Sequence, residues 1–179
     1  MFDWLNGFQQ PVVQLTEADV IRCNEIVKRK IDYCKTYNQS HRYKIDGVKK
    51  AEPNFCGALG EQTIAHYFDY EYCYRDYDRN LYDILGYEIR TTYHANGRLF
   101  THPKGVDKEG RYILVTVDKT TLCATIRGYS PLNRCNERRE NWDNTLQQPC
   151  WAMPQNQLWP IDMLPATPEL IAHQMRLAA

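Results

Sequence analysis

Behind Thr16, a residue type that caps helices, apolar residues recur at helical spacing at Val20, Val27, Ile31 and Cys34, with Asp19 in the first turn. Residues 17–35 are therefore predicted to form an amphipathic helix whose opposite face is basic. Residues 36–53 are polar and unpatterned, after which Asn54 is placed to cap a second helix running from Phe55 to Phe68. Tyrosines and acids from 69 to 80 read as a loop or irregular strand. The stretch "YDILGYEIRTT", residues 82–92, then predicts a β-hairpin turning near Leu85 and Gly86. Alternation on its second arm sets Glu88, Arg90 and Thr92 on one side and Tyr87, Ile89 and Thr91 on the other. Further strands are expected at 98–101, 111–118 and 122–129, a meander of about five strands in all. The segment 130–149 is polar, and "CWAMPQNQLWPIDMLP" suits an extended segment wrapping over the core. Thr167 as N-cap and Pro168 at the first helical position open a short C-terminal helix.

Within this pattern Glu61 is out of place. On the second predicted helix it shares a stripe with Ala58, Ile64 and Ala65, the face expected to meet the core. A carboxylate there must be paired, protonated or coordinated, because a lone buried charge costs several kcal/mol. A structural partner such as an arginine and a catalytic or metal-proximal role are both open. Gly57 and Gly60, in "GALGE", each cost a helix roughly 1 kcal/mol relative to alanine, which predicts a close approach there, by the sheet or by a nucleic-acid strand.

Composition narrows the class without naming a function. At 179 residues, 43% hydrophobic and 25% charged, the chain is expected to be a single domain, 1–179, with a sizeable core. The opening "MFDWLNGFQQP" lacks a basic, continuously apolar leader, and there is no run of about 18 apolar residues, so no membrane association and a cytoplasmic location are expected. The seven cysteines are scattered without a C-x-x-C pair and are expected to be reduced and mostly buried. Net charge is zero, but its distribution is uneven: residues 22–50 hold nine Lys or Arg against three acids, and residues 61–88 hold seven acids against two arginines. A basic arm beside an acidic site suits a phosphodiester whose hydrolysis needs a divalent cation.

In chain order the candidate chemistry is Glu61 on a helix, Asp83 ending one strand, and Glu88 and Arg90 alternating on the next. The two hairpin carboxylates are suited to Mg²⁺ through oxygen ligands, the helix acid to a direct or water-bridged third position, and the cation to stabilising the charged phosphorane. Through "GALGE" and "YDILGYEIRTT" the sequence resembles the PD-(D/E)XK nuclease superfamily. "RLFTHP", "YILVTV", "TIRGY" and "WAMP…LWP" further resemble its small bacteriophage or mobile-element members with arginine at the lysine position. The resemblance implies an α/β (α+β) restriction-endonuclease-like fold, a central mixed sheet of about five strands flanked by helices, with its core at 54–129. A basic N-terminal helix and loop at 16–50 and a C-terminal wrap at 150–179 would surround it. It implies a metal-dependent DNA endonuclease with Glu61, Asp83, Glu88 and Arg90 catalytic, and Asp83, Glu88 and Glu61 holding Mg²⁺ or Mn²⁺. DNA contacts would come from Lys28, Arg29, Lys30, Arg42, Lys44, Lys49, Lys50, Thr92 and His94, with a homodimer as one assembly.

Two departures stand beside the resemblance. Arg90 replaces the usual lysine, and an arginine binds phosphate well but cannot act as a base. No clear helix is predicted between the strands at 98–101 and 111–118, where the family core carries one, unless the later polar region provides it. The competing reading is a catalytically inactive member of the fold that grips DNA or a host protein, with its acids paired to Arg90 and Arg98. A weaker one is an assembly protein built on aromatic surface. The five histidines form no H-x-H or H-E-x-x-H pattern; His66 is expected to be a surface or packing residue.

Overall fold

A computed structural model describes residues 9–36, 48–72, 83–101, 110–137, 139–145 and 149–178. In chain order the elements are β1 (Val12–Gln14), α1 (Glu17–Thr36), α2 (Val48–Tyr67), β2 (Glu88–Thr92), β3 (Leu99–Thr101), β4 (Arg111–Val117), β5 (Cys123–Pro131), α3 (Leu132–Glu137), β6 (Trp142–Asp143), β7 (Cys150–Met153) and α4 (Pro168–Leu177). The fold is mixed α+β. One mixed sheet runs β1-β5-β4-β2 and a second, of three strands, runs β3-β7-β6.

The predicted meander does not form. β2 lies parallel to β4, and β3 leaves that sheet to pair antiparallel with β7; only the β4–β5 hairpin follows the meander order. The physical reason is visible in β4. Its run Tyr112–Val117 is buried along its whole length, which suits a strand covered on both faces rather than the half-exposed strand of an open meander. Ile113, Val115 and Val117 enter the larger core with α1 and α2, whereas Tyr112 and Leu114 enter a second core with Leu99, Leu132, Met153 and Leu158. Fully burying a side chain such as Ile113 contributes roughly 2 kcal/mol, so each layer has its own anchors.

The first helix matches expectation, and its cap is reciprocal. Asp19 accepts from Thr16 N at 2.8 Å and from Thr16 Oγ1 at 2.7 Å, while Thr16 Oγ1 accepts from Asp19 N at 3.2 Å. The second helix begins at Val48, not after Asn54, and contains Pro53. Pro53 is the sixth residue of α2 and removes the backbone donor that would pair with Lys49, yet α2 continues through it, so it is not the boundary that its sequence suggests.

The hairpin turn is where it was predicted. Ile84 and Tyr87 exchange both backbone hydrogen bonds (3.2 and 2.8 Å), and Leu85 and Gly86 both have positive φ (49° and 80°), as a two-residue type I′ turn requires. Beyond Asp83 the hairpin's first arm falls outside the described residues, as does the interval 102–109 where the family helix was sought. The polar region 130–149, left open as the source of a further helix, contributes the short α3, and also β6, which was not expected.

The C-terminal segment wraps the core as expected. Trp159 bridges to Tyr129, Leu158 and Ile161 are buried, and Thr167 caps α4 by accepting from Leu170 N at 3.1 Å. The same hydroxyl donates to Leu85 O, so α4 clasps the hairpin turn. A side chain at Gly86 would collide with Glu169 Oε2 at 2.7 Å. Cys23, Cys56, Cys135 and Cys150 are buried, as expected of most of the cysteines, and Cys123 is half-buried. Among the described residues no helix is long and apolar enough to cross a membrane.

Candidate active site

Gly60 determines how close α2 comes to the sheet. A Cβ on it would lie 1.8 Å from Thr91 Oγ1 on β2, so only glycine admits this approach, and Glu61 follows directly in sequence. Of the two glycines thought to mark a close contact, Gly60 does so and Gly57 does not, having no atom within 4 Å of its virtual Cβ. Among the described residues β2 ends the order of its sheet, and its alternation is as read: Ile89 is buried and Thr91 meets α2, which leaves Glu88, Arg90 and Thr92 to the other face.

Glu61 is half-buried and accepts from Tyr72 Oη at 2.6 Å. Its carboxyl is pushed up to about 7, first by burial and then by the negative charge of Asp83, with a smaller push from Glu88; Lys30 and the Tyr72 hydroxyl oppose the rise. Lys30 reaches this neighbourhood because it continues the stripe of Cys23, Ile26 and Val27 on α1, at spacings of three and four residues. Asp83 closes the hairpin by accepting from Ile89 N at 2.8 Å. Glu88 pairs with Arg90 at 3.2 Å, and the Arg90 guanidinium lies 5.3 Å from the centre of the Tyr112 ring. Burial, and next the charge of Glu88, raise the Tyr112 hydroxyl to about 12.

The fold thus brings Glu61, Asp83, Glu88 and Arg90 into one electrostatic neighbourhood at the β2 end of the sheet. As donors, three carboxylates are the hard oxygen ligands that Mg²⁺ or Mn²⁺ takes. Each also holds a protein partner: Tyr72, Ile89 N and Arg90 respectively. Among the described residues, no group of three or more His, Cys, Asp or Glu side chains is gathered so as to hold a metal ion. The donor chemistry fits the cation, while the ligand set is not drawn together.

The expected DNA contacts divide. Lys28 and Arg29 are exposed on α1, whereas Lys30 is half-buried and its charge acts on Glu61. Thr92 Oγ1 accepts from His94 N at 3.1 Å, which fixes the chain leaving β2, and His94 is exposed. Lys49 and Lys50 lie in the first turn of α2, and Arg42 and Lys44 fall outside the described residues. His66 is an exposed residue with a structural partner, Asp19, at 2.9 Å.

Two participants went unread in the sequence. Tyr72, eleven positions past Glu61, carries no local signal, since only the chain path after α2 returns it to the carboxyl. Tyr112 is directly opposite Glu88 in the parallel β2–β4 register, a pairing that the meander did not anticipate. Compared with models of known families, with curated proteins and with solved structures, the chain matches none.

Proposed function

We propose that this protein is a metal-dependent DNA endonuclease that hydrolyses phosphodiester bonds on a restriction-endonuclease-like core. The observation that carries the reading is a glycine-enforced approach of α2 to β2, with the charge of Asp83 and, more weakly, Glu88 acting on the Glu61 carboxyl, and Arg90 paired to Glu88. Like charges near one another are costly unless a cation or a proton is shared among them. Asp83 and Glu88 would hold Mg²⁺ or Mn²⁺, with Glu61 as the third acid. When bound, the cation supplies charge for the phosphorane and an activated water. Arg90 stabilises phosphate charge and takes no proton, so water activation would fall to the bound cation or to Glu88. Lys28 and Arg29 on α1, with His94 after β2, would meet the DNA backbone. Cytoplasmic action, a phage or mobile-element origin and a homodimer that cuts both strands accompany this reading.

A second reading is favoured by the Glu88–Arg90 pair and by the absence of a gathered three-acid group among the described residues: the same fold as a non-catalytic DNA or protein binder. One experiment separates the two. Wild-type protein and Asp83→Ala/Glu88→Ala are melted with and without Mn²⁺, and both are incubated with plasmid and branched DNA plus Mg²⁺ or Mn²⁺. The nuclease reading expects a Mn²⁺-dependent rise in Tm and strand cleavage, both lost in the double variant. A wild-type protein that neither cuts nor responds to Mn²⁺ overturns it and leaves the binder.

A further inference from the structure

Away from the acids, a cleft of about 440 Å³ opens where the N-terminal segment, β5 and the C-terminal wrap meet. Arg127 lines it, and the strand is deformed at that residue. Leu114 pairs with Gly128 and Val115 with Ile126, so Arg127 is the extra residue of a β-bulge, followed by Gly128 at φ 129°. Bulges re-aim side chains, and this one is tightly supported. Arg127 Nε donates to Thr116 Oγ1 at 2.7 Å and Nη1 donates to Gln10 Oε1 at 2.8 Å, while Gln10 Nε2 reaches back to Arg127 O at 3.4 Å.

These partners are all neutral. Among the described residues Arg127 has no carboxylate within ion-pair distance, although it is half-buried and burial disfavours its charge. Asp162, the cleft's acid, instead accepts from Tyr67 Oη at 3.2 Å. The opposite wall is firm: Gln155 donates to Ala95 O at 2.7 Å and Gly97 O at 3.0 Å, and Ile161 is buried. An oriented cation, desolvated and without a counter-charge, at the wall of a preformed cleft is the donor arrangement that oxyanions take.

We propose that this cleft binds a small oxyanion-bearing ligand, a carboxylate or a phosphate monoester, seated on Arg127. The bulge and the Gln10 and Thr116 hydrogen bonds orient the guanidinium before the ligand arrives, which lowers the entropy lost on binding. The site uses none of Glu61, Asp83, Glu88 or Arg90 and stands or falls apart from the nuclease reading.

The test is a thermal-shift and calorimetric titration at constant ionic strength with inorganic phosphate, glycerol phosphate and succinate, and with chloride as control. Wild type, Arg127→Gln and Asn156→Asp are compared. Asn156→Asp places a negative charge at an exposed position of the cleft without touching the partners of Arg127, so it reports even where Arg127→Gln does not fold. Saturable binding of one probe class, weakened roughly tenfold or more in the variants, is expected, and the class that binds identifies the ligand chemistry. No saturable response to any probe, or binding undiminished in the variants, overturns the proposal.

Discussion

Asp19 and Glu61 sit on neighbouring helices and meet burial with opposite results. Burial acts on Asp19 as it does on Glu61, but the Thr16 N–H and hydroxyl, and next His66, outweigh it and hold the Asp19 carboxyl below its usual value. Glu61 receives the Tyr72 hydroxyl and the charge of Lys30, too little against burial and Asp83, and stands at about 7. One carboxylate is saturated by donors from its own cap and a neighbouring helix. The other is kept short of donors and beside like charge, an arrangement that costs stability and suits a group meant to bind a cation or exchange a proton.

The largest way to break this contrast is Glu61→Gln. Because the folded carboxyl stands above its ordinary 4.5, the folded state binds the proton more tightly than the unfolded chain does. The contribution is fully present below about 4.5 and is lost as pH rises through about 7, so wild-type stability falls across that window, by on the order of 3 kcal/mol. Glu61→Gln removes that slope, and the variant is at least as stable as wild type at pH 8 while losing the proposed cleavage. Urea denaturation at pH 5 and pH 8 reads the slope; an unchanged one would show that Glu61 is solvated and that no acid cluster exists.

How far such a contrast could be read from the chain differs sharply between the two acids. The Asp19 cap is local, three residues from Thr16, and was visible, as were the Leu85–Gly86 turn and the Thr167–Pro168 helix start. Glu61 was recognisable as a misplaced acid, yet its partners were not, because Tyr72 and Lys30 reach it only through the packing of α1 and the chain after α2. The parallel β2–β4 pairing escaped for a related reason: strand order depends on a connection of some twenty residues, while the apolar, β-branched run in "RYILVTVD" says only that a strand is present. The Arg127 bulge is invisible without that register, since one extra residue appears only when two strands are aligned.

An intermediate effect is expected at the contact that creates the cluster. Gly60→Ala would place a methyl against Thr91, whose side chain is held on a strand packed beneath α2, and overpacking of this kind costs about 1–3 kcal/mol. Thr91 Oγ1 is buried without a hydrogen-bond partner, so Thr91→Ala removes the closest clash and an unsatisfied hydroxyl together. In Gly60→Ala/Thr91→Ala the penalty is therefore smaller than in Gly60→Ala alone. Chemical denaturation of the two variants checks the order, and equal stabilities would mean that α2 does not rest on Thr91.

The smallest effect, and the one that sharpens the contrast most, belongs to Asp19. Asp19→Ala removes the acceptor for Thr16 N and Oγ1 and the partner of an exposed His66, and the loss of such a cap costs about 1 kcal/mol at neutral pH. The sign of its pH dependence is opposite to that of Glu61. Asp19 stands below its ordinary 3.8 in the folded state, so its contribution is present above 3.8 and is lost as pH falls through the lower folded value. Asp19→Ala should therefore flatten the acid limb of the stability curve and leave the decline between pH 5 and pH 8 in place, whereas Glu61→Gln does the reverse. Denaturation curves for both variants from pH 2.5 to 8 test the separation. If Asp19→Ala also removed the neutral-pH slope, that slope would arise from the coupling of α1 and α2 as a unit, and Glu61 would lose its distinction from a structural acid.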